Sequence, residues 1–544
     1  MFAEQLLGVF FPWLVAFFLL VFLGIHIILI PKLFLSVWNT KKMVLFLAGA
    51  LLIGGAYLRF AIVPNQHRIF YDEDRYLGYS VSFARLNKAV SLELATPQES
   101  VIGKPDQAVR VTVPVLHGMV LKLFGFDEAY LFDTSRILSL LLAAYIAVLS
   151  YQLFRSFLGA ILSMTGMLFL PIQVYWSASM ALDPYFVFFT VASVVALLLY
   201  LRRPTRLSIA FSTTSIFLLL CVRIEAFVVL PLLGYLAIMH RRRAGEQLFQ
   251  SHDRIFLMIL APLILMRGVA SISVLGQKWC CADSLPLEAF SLKYITRNLL
   301  PNIMYFITGF EFPYILSLPA LWLGLSSRKH THRFLLFWII VFFILYSLYY
   351  AGLFVTAEFS GSYARYFLIM IPPLLLLFSD TVASHLILHA RQAIKNGLII
   401  LVYITLGSTQ LIYSFWSYRD LIVYPPSMFN AVDQGPIYVH AYLENVLLPS
   451  IPKHAVVIHP ITSIPLLHGH TTVYYQYFLE NDETITYVHK LLKSGKRVFT
   501  MNAIDCSSVP YKCEKINRVF VAKRSSLNKP ETSSIFQIYE LFLK

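Results

Sequence analysis

Long apolar runs separated by short basic turns set the pattern of this chain. Runs close to the ~20 residues that cross the hydrocarbon core of a bilayer fall at about 6–30, 43–63, 133–153, 157–175, 184–201, 207–222, 226–240, 254–275, 312–326, 334–351, 366–380 and 397–415. They predict an α-helical polytopic membrane protein with about twelve transmembrane helices. The first run has no basic segment ahead of it and no small-residue cleavage site before Lys32, Lys41 and Lys42. It is therefore expected to be a membrane helix kept in the mature protein rather than a signal peptide. Two regions break the pattern. In the long loop 64–132, Tyr76, Tyr79, Phe83 and Leu86 recur at spacings of three and four, as in an amphipathic helix lying at a membrane surface. Beyond residue 416, His454–His459 and Arg497–Met501 read as short buried strands with a helical stretch around 486–494 between them, which predicts a small α/β domain. The expected division is thus a membrane domain, 1–415, and a C-terminal domain, 416–544. Neither an internal repeat of 20–50 residues nor a low-complexity tract interrupts it.

Composition sharpens the class. Of the 544 residues, 58% are hydrophobic and 13% charged, about half the roughly 25% charged residues of a soluble domain. A net charge of +15 would suit nucleic acid, but the basic residues sit in alternate short turns. Lys32/Lys41/Lys42, Arg155, Arg202/Arg203/Arg206, Arg241–Arg243 with Arg254, Arg328/Lys329/Arg333 and Arg391/Lys395 fall on one side; the opposite short loops hold little beyond Arg223 and Arg365. The positive-inside rule makes the first side cytoplasmic, so the basicity is topology and no nucleic-acid partner follows. The N-terminus, the loops 64–132 and 276–311 and the tail then lie outside. The expected site is a plasma or inner membrane with an extracytoplasmic face; an endoplasmic reticulum membrane with a lumenal face obeys the same physics. Of five cysteines, Cys221 lies in an apolar run, Cys280 and Cys281 share a loop, and Cys506 and Cys513 would form a disulfide in an oxidising compartment. No CxxC pair suggests zinc.

Candidate chemistry gathers on the external side. Asp72-Glu73-Asp74 opens the long loop at a helix start. Such a cluster raises a carboxylate toward general-base work, holds a divalent cation, or caps the helix. Lys104-Pro105-Asp106 and Pro114–His117-Gly118 follow, and the loop closes in Phe124-Gly125. Lys104 is a point charge for phosphate or a solvated loop lysine. Asp183 precedes Pro184 at an outer turn, as a polar site residue or a helix cap. Arg223 and Glu225 split an apolar run of about 34 residues, too long for one span, and mark an external hairpin tip where their mutual pairing is the simplest account. Arg365, between Tyr363 and Tyr366, is placed to clamp a lipid phosphate or to snorkel in an aromatic belt. With Glu358, carboxylates and cations collected at one face suit a reaction on an anionic lipid.

In this order the features resemble the polytopic glycosyltransferases of the GT-C type, which use polyprenyl-phosphate-linked sugars and include the protein O-mannosyltransferases and the aminoarabinose transferases of lipid A. The resemblance spans nearly the whole chain: Asp72 and Glu73, Lys104 to Gly125, Asp183, Arg223 and Glu225, Arg365 before Pro372-Pro373, and the C-terminal domain. It implies transfer with inversion at the anomeric carbon, with Asp72 or Glu73 as general base on an acceptor hydroxyl. Lys104 and Arg365 would stabilise the departing polyprenyl phosphate, and Asp183 would shape a substrate pocket. The acceptor it implies is a hydroxyl or phosphate group on a lipid, a glycan or a protein. The chain departs from the pattern in the extra span at 6–30, in the third acid Asp74, and in Pro-Asp rather than Pro-Pro after Lys104. A divalent cation is a possible cofactor without assigned ligands. The alternative from another class is a secondary transporter, which would place charges near the midplane of repeated helices; an oligosaccharide ligase or polymerase is the rival among enzymes.

Overall fold

A backbone in lipid must satisfy its own N–H and C=O groups, so the apolar runs form helices. The computed structural model describes residues 6–38, 42–65, 67, 72–92, 94–96, 101–102, 110–275, 290–308, 325, 329–349, 364–389, 448–459, 462–501, 517–527 and 538–544. Among these, seven helices are long and apolar enough to cross a membrane: Gly8–Leu29, Leu45–Ile62, Ala129–Phe154, Leu182–Arg202, Ile224–Ala244, His330–Ser347 and Arg365–Ser384. Shorter apolar helices cover Phe157–Phe169 and Arg206–Leu220, and Ser251–Leu275 forms one more helix. The expected span 397–415 and all of 312–326 but Leu325 lie outside the described residues, as do Lys104, Glu358, Cys280, Cys281, Cys506 and Cys513. The protein is an α-helical polytopic membrane protein with a C-terminal α/β region.

Local chemistry sets where the helices stop. The run at 157–175 breaks at Leu170 because Pro171 has no N–H to continue the ladder; it opens the next helix, Pro171–Trp176, at its first position. The carbonyls freed at that break are taken by a buried cation: Arg59 donates to Leu168 O at 2.8 Å and Met167 O at 3.3 Å. Arg267 does the same for the end of Arg206–Leu220, its Nε donating to Leu220 O at 2.8 Å. That helix begins with a reciprocal cap between Thr205 and Ser208. Gly245, at φ +68°, closes Val229–Ala244 in the left-handed conformation.

The chain divides into two compact units. The first comprises Met1–Leu14, Gln66–Leu131 and Pro425–Lys544; the second, Val15–Asn65 and Phe132–Tyr424.

The first unit is built on a seven-stranded sheet: β1 (Leu94–Ala95), β2 (Val101–Ile102), β3 (Val456–His459), β4 (Thr471–Tyr474), β5 (Val498–Met501), β6 (Phe520–Arg524) and β7 (Ile538–Leu543), in spatial order β2-β1-β4-β3-β5-β7-β6. The central strand β3 runs parallel to β4 and β5, while β1 pairs antiparallel with β4, Leu94 opposite Val473. The first long loop thus supplies two strands to a sheet otherwise made by the C-terminal region. Val456, Ile458, Val473, Phe478, Val488, Val498, Phe520 and Leu541 form its core together with Leu94. The strands and the helix read from the sequence are present as β3, β5 and Asp482–Lys493. The helix Asp72–Leu86 is buried along nearly all its length and packs on Thr112–Phe124 at Gly118, where an added Cβ would meet Ser80 O at 2.8 Å.

The second unit centres on Leu182–Arg202, whose side chains are buried almost throughout. Phe46, Ile27 and Met258, 78%, 77% and 73% exposed, have the outward apolar placement that lipid permits. The helix Ile295–Thr308 is inverted for the same reason. Its Asn298 and Asn302 are buried, donating to Tyr349 O at 2.6 Å and Ser347 Oγ at 3.1 Å, while Leu300 is exposed.

Candidate functional site

The sequence candidates fall into two clusters, one in each unit. In the first unit the three acids that open Asp72–Leu86 have different surroundings. Glu73 is fully buried, and its Oε2 lies 3.0 Å from Nδ1 of His67. Asp74 is buried and accepts the backbone N–H groups of Thr462, Ser463 and Ile464 at 3.1, 2.9 and 3.3 Å, while the Ser463 hydroxyl donates to the Asp74 carbonyl at 2.7 Å. It caps the short helix Ser463–Leu467, satisfying donors that the helix itself leaves open. Burial pushes its carboxyl up to about 6, against the opposing pull of the three N–H donors and of His67. Asp72, the first residue of the helix, is half-buried.

His67 reaches a second acid through its other ring nitrogen, Nε2, 3.3 Å from Glu128 Oε2. Burial raises the Glu128 carboxyl, but the hydrogen bond and charge of His67, with the charge of His468, outweigh it and hold Glu128 below its ordinary value. Neither His67 nor Glu128 stands out in the sequence. They are 61 residues apart, in no motif, and only the fold brings them together. Because the two ring nitrogens face different carboxylates, these three side chains do not converge on a common point. Among the described residues no group of three or more His, Cys, Asp and Glu side chains is arranged to hold a metal ion.

In the second unit, Asp183, Arg223, Glu225 and Arg365 meet at the N-terminal ends of three spans, Leu182–Arg202, Ile224–Ala244 and Arg365–Ser384. All four are buried. Arg223 pairs with Glu225 in a bidentate fork, Nη2 to Oε1 at 2.7 Å and Nε to Oε2 at 3.2 Å, and its remaining arm donates to Asp183 Oδ1. The second oxygen of Asp183 lies 3.3 Å from Nε of Arg365. Both guanidinium carbons sit over the ring of Tyr366, at 5.0 and 5.1 Å, and Tyr346 stacks on that ring at 5.2 Å. Two cations and two carboxylates balance, the arrangement in which buried charge is tolerated. Tyr346 was not legible as a member of the cluster; it belongs to an apolar helix whose periodicity marks it only as core. Beside Asp183, Ser135, Ser139, Gln173, Ser177 and Tyr185 line, together with leucine side chains, a small cavity of about 10 Å³.

Asp183 therefore bridges both arginines, and a phosphate oxygen entering the cluster would find two guanidinium groups already oriented on one aromatic face. Lys104 lies outside the described residues.

No protein-family model matches the chain, and no curated protein matches it by sequence. Its fold is similar to the crystal structure of ArnT from Cupriavidus metallidurans in the apo state, with a TM-score of 0.55 at 12% identity over 92% of this chain and 98% of that one. ArnT from the same organism bound to undecaprenyl phosphate gives 0.49 at 12% identity, covering 92% and 97% of the two chains. The apo oligosaccharyltransferase of Archaeoglobus fulgidus gives 0.49 at 13%, covering 90% and 70%. The chain thus shares the fold of apo ArnT along nearly the whole length of both proteins.

Proposed function

We propose that this protein is an integral-membrane glycosyltransferase that moves a sugar from a polyprenyl-phosphate donor to an acceptor hydroxyl on the extracytoplasmic face, with inversion. The observation that carries this reading is the fold shared with ArnT over 92% of the chain, together with an acid at the first turn of the helix that follows the first long break between spans. The acceptor oxygen attacks the anomeric carbon as a carboxylate takes its proton; the bond from that carbon to the phosphate oxygen breaks, and the polyprenyl phosphate leaves with the electron pair. Of the three acids, Glu73 and Asp74 are buried while Asp72 is half-buried and so the more accessible to an acceptor hydroxyl, so Asp72 is the base. Lys104 and Arg365 neutralise the leaving phosphate. Asp183, with Arg223 and Glu225, orients the cationic side chains, and such preoriented charge is the largest single contribution many enzymes make. The acceptor class is a lipid, a glycan or a protein, the membrane is the plasma or inner membrane, and residues 1–415 and 416–544 are the membrane and extracytoplasmic domains.

The test is transfer of radiolabelled sugar from a panel of polyprenyl-phosphate donors in membranes carrying wild type, Asp72→Asn or Glu73→Gln. Melting in detergent serves as the folding control. Loss of a general base lowers turnover by about 10²–10⁴-fold, expected for Asp72→Asn with melting unchanged. If the wild type transfers nothing from any donor, or Asp72→Asn equals it, the reading is wrong.

A further inference from the structure

Among the described residues of the first unit, His67 is the buried imidazole that stands between two carboxylates. It is 1% exposed, with Nδ1 at 3.0 Å from Glu73 Oε2 and Nε2 at 3.3 Å from Glu128 Oε2. A neutral imidazole has a single N–H and donates to only one of them; donation to both requires the imidazolium. Other charged groups act on the same site: Asp74, whose carboxyl senses the charge of His67, and His468, which acts on Glu128. Glu128, held below its ordinary value, accepts rather than donates, which leaves the proton of that contact on the ring.

The consequence is mechanical. Glu73 lies in the first turn of Asp72–Leu86, directly after Asp72, and Glu128 lies in the turn that follows Thr112–Phe124. A doubly bonded imidazolium ties one to the other; a neutral ring donates to one carboxylate only and gives up the hydrogen bond to the other. We propose that His67 is a positioning residue which, as an imidazolium bonded to Glu73 and Glu128, holds the helix turn carrying Asp72 and releases it on deprotonation. Its bearing on catalysis rests on the reading of Asp72 as the base.

The experiment pairs two measurements on the purified full-length chain across pH 6–9: hydrogen exchange at the amides of Tyr76–Ser80, corrected for intrinsic rates, and sugar transfer. Those amides donate to the carbonyls of residues 72–76 and report whether the first turns are closed. In the wild type, protection and kcat/KM fall together as pH rises. In Glu128→Gln, which removes one of the two carboxylates favouring the imidazolium, both limbs move about one pH unit lower, with the melting temperature kept. In His67→Gln, which has no titrating ring, both profiles are flat over this window. A wild-type protection profile without a step, or a step that Glu128→Gln fails to move, overturns the proposal even when transfer is intact. A step in protection that moves as expected, in a wild type that transfers nothing, upholds the clamp and overturns the transferase reading instead. Where His67→Gln does not fold, the Glu128→Gln comparison decides alone.

Discussion

Arg223 and Arg497 show how far burial changes the worth of one ion pair. Each makes a two-armed contact with a glutamate, Arg223 with Glu225 and Arg497 with Glu540 at 2.6 and 2.8 Å. The Arg497 side chain is 47% exposed and that of Arg223 7%. Exposed pairs contribute about 0–1 kcal/mol, whereas removing one member of a buried set costs about 3–5 kcal/mol because the remaining charge is stranded. Arg223→Ala leaves two buried carboxylates, Asp183 and Glu225, against the single cation Arg365 and is expected to lower the melting temperature in detergent strongly, with Arg497→Ala near wild type. Equal melting of the two variants would contradict the buried network. Asp74 makes a pH-dependent prediction of the opposite sense to the usual carboxylate. Unfolded, it ionises near the ordinary carboxylate value of 3.8; folded, it keeps its proton to about 6. Between these values the folded state binds more protons, so this contribution to stability falls as pH rises through the window and is constant above it. Melting followed from pH 4 to 7 is expected to carry this slope in the wild type and to lose it in Asp74→Asn. The sequence singled out all three acids but not the division of labour among them, because that depends on His67 and on the N–H groups of Thr462–Ile464, nearly four hundred residues away.

At the level of elements, the glycines separate close packing from empty space. Gly118 permits Thr112–Phe124 to approach Asp72–Leu86: a Cβ there would stand 2.8 Å from Ser80 O and 2.9 Å from Phe83 Cδ1. A backbone oxygen cannot turn aside as a side chain does, so Gly118→Ala is expected to destabilise by about 1–3 kcal/mol. Gly234, inside Val229–Ala244, has nothing within 4 Å of the same position; Gly234→Ala is expected to be neutral or to stabilise by up to about 1 kcal/mol. Thermal melting of the two variants side by side checks the sign of each. The spans were legible as elements because their apolar length exceeds that of any ordinary soluble helix. The inverted helix Ile295–Thr308 was not, since its leucines alone cannot tell a lipid-facing side from a core-facing one. Its paired asparagines and their partners at Ser347 and Tyr349 make the distinction.

Over the whole molecule, the basic turns predict sidedness. In a background without native cysteines, Glu483→Cys, at an exposed position of the C-terminal region, is expected to react with an impermeant maleimide in intact cells. Arg242→Cys, exposed in the basic last turn of Val229–Ala244, is expected to react only after permeabilisation. The reverse result would invert the orientation and remove the extracytoplasmic reading of the site. Protein-wide, the charge pattern is readable in one dimension because it reflects how each loop meets the membrane, loop by loop.

Apolar run length and loop charge by themselves determined that this is a helical membrane chain, and the strand and helix patterns beyond residue 416 that it carries a small α/β region, since these properties act locally along the backbone. The order of its polar breaks pointed to the chemistry for which Asp72, Asp183, Arg223, Glu225 and Arg365 are suited. Only the tertiary structure decided that Asp183 bridges two arginines over Tyr366, that β1 and β2 of the first loop complete the C-terminal sheet, and that His67 lies between Glu73 and Glu128. These are contacts between residues distant in sequence. They depend on hydrogen-bond direction and burial, which no periodicity records.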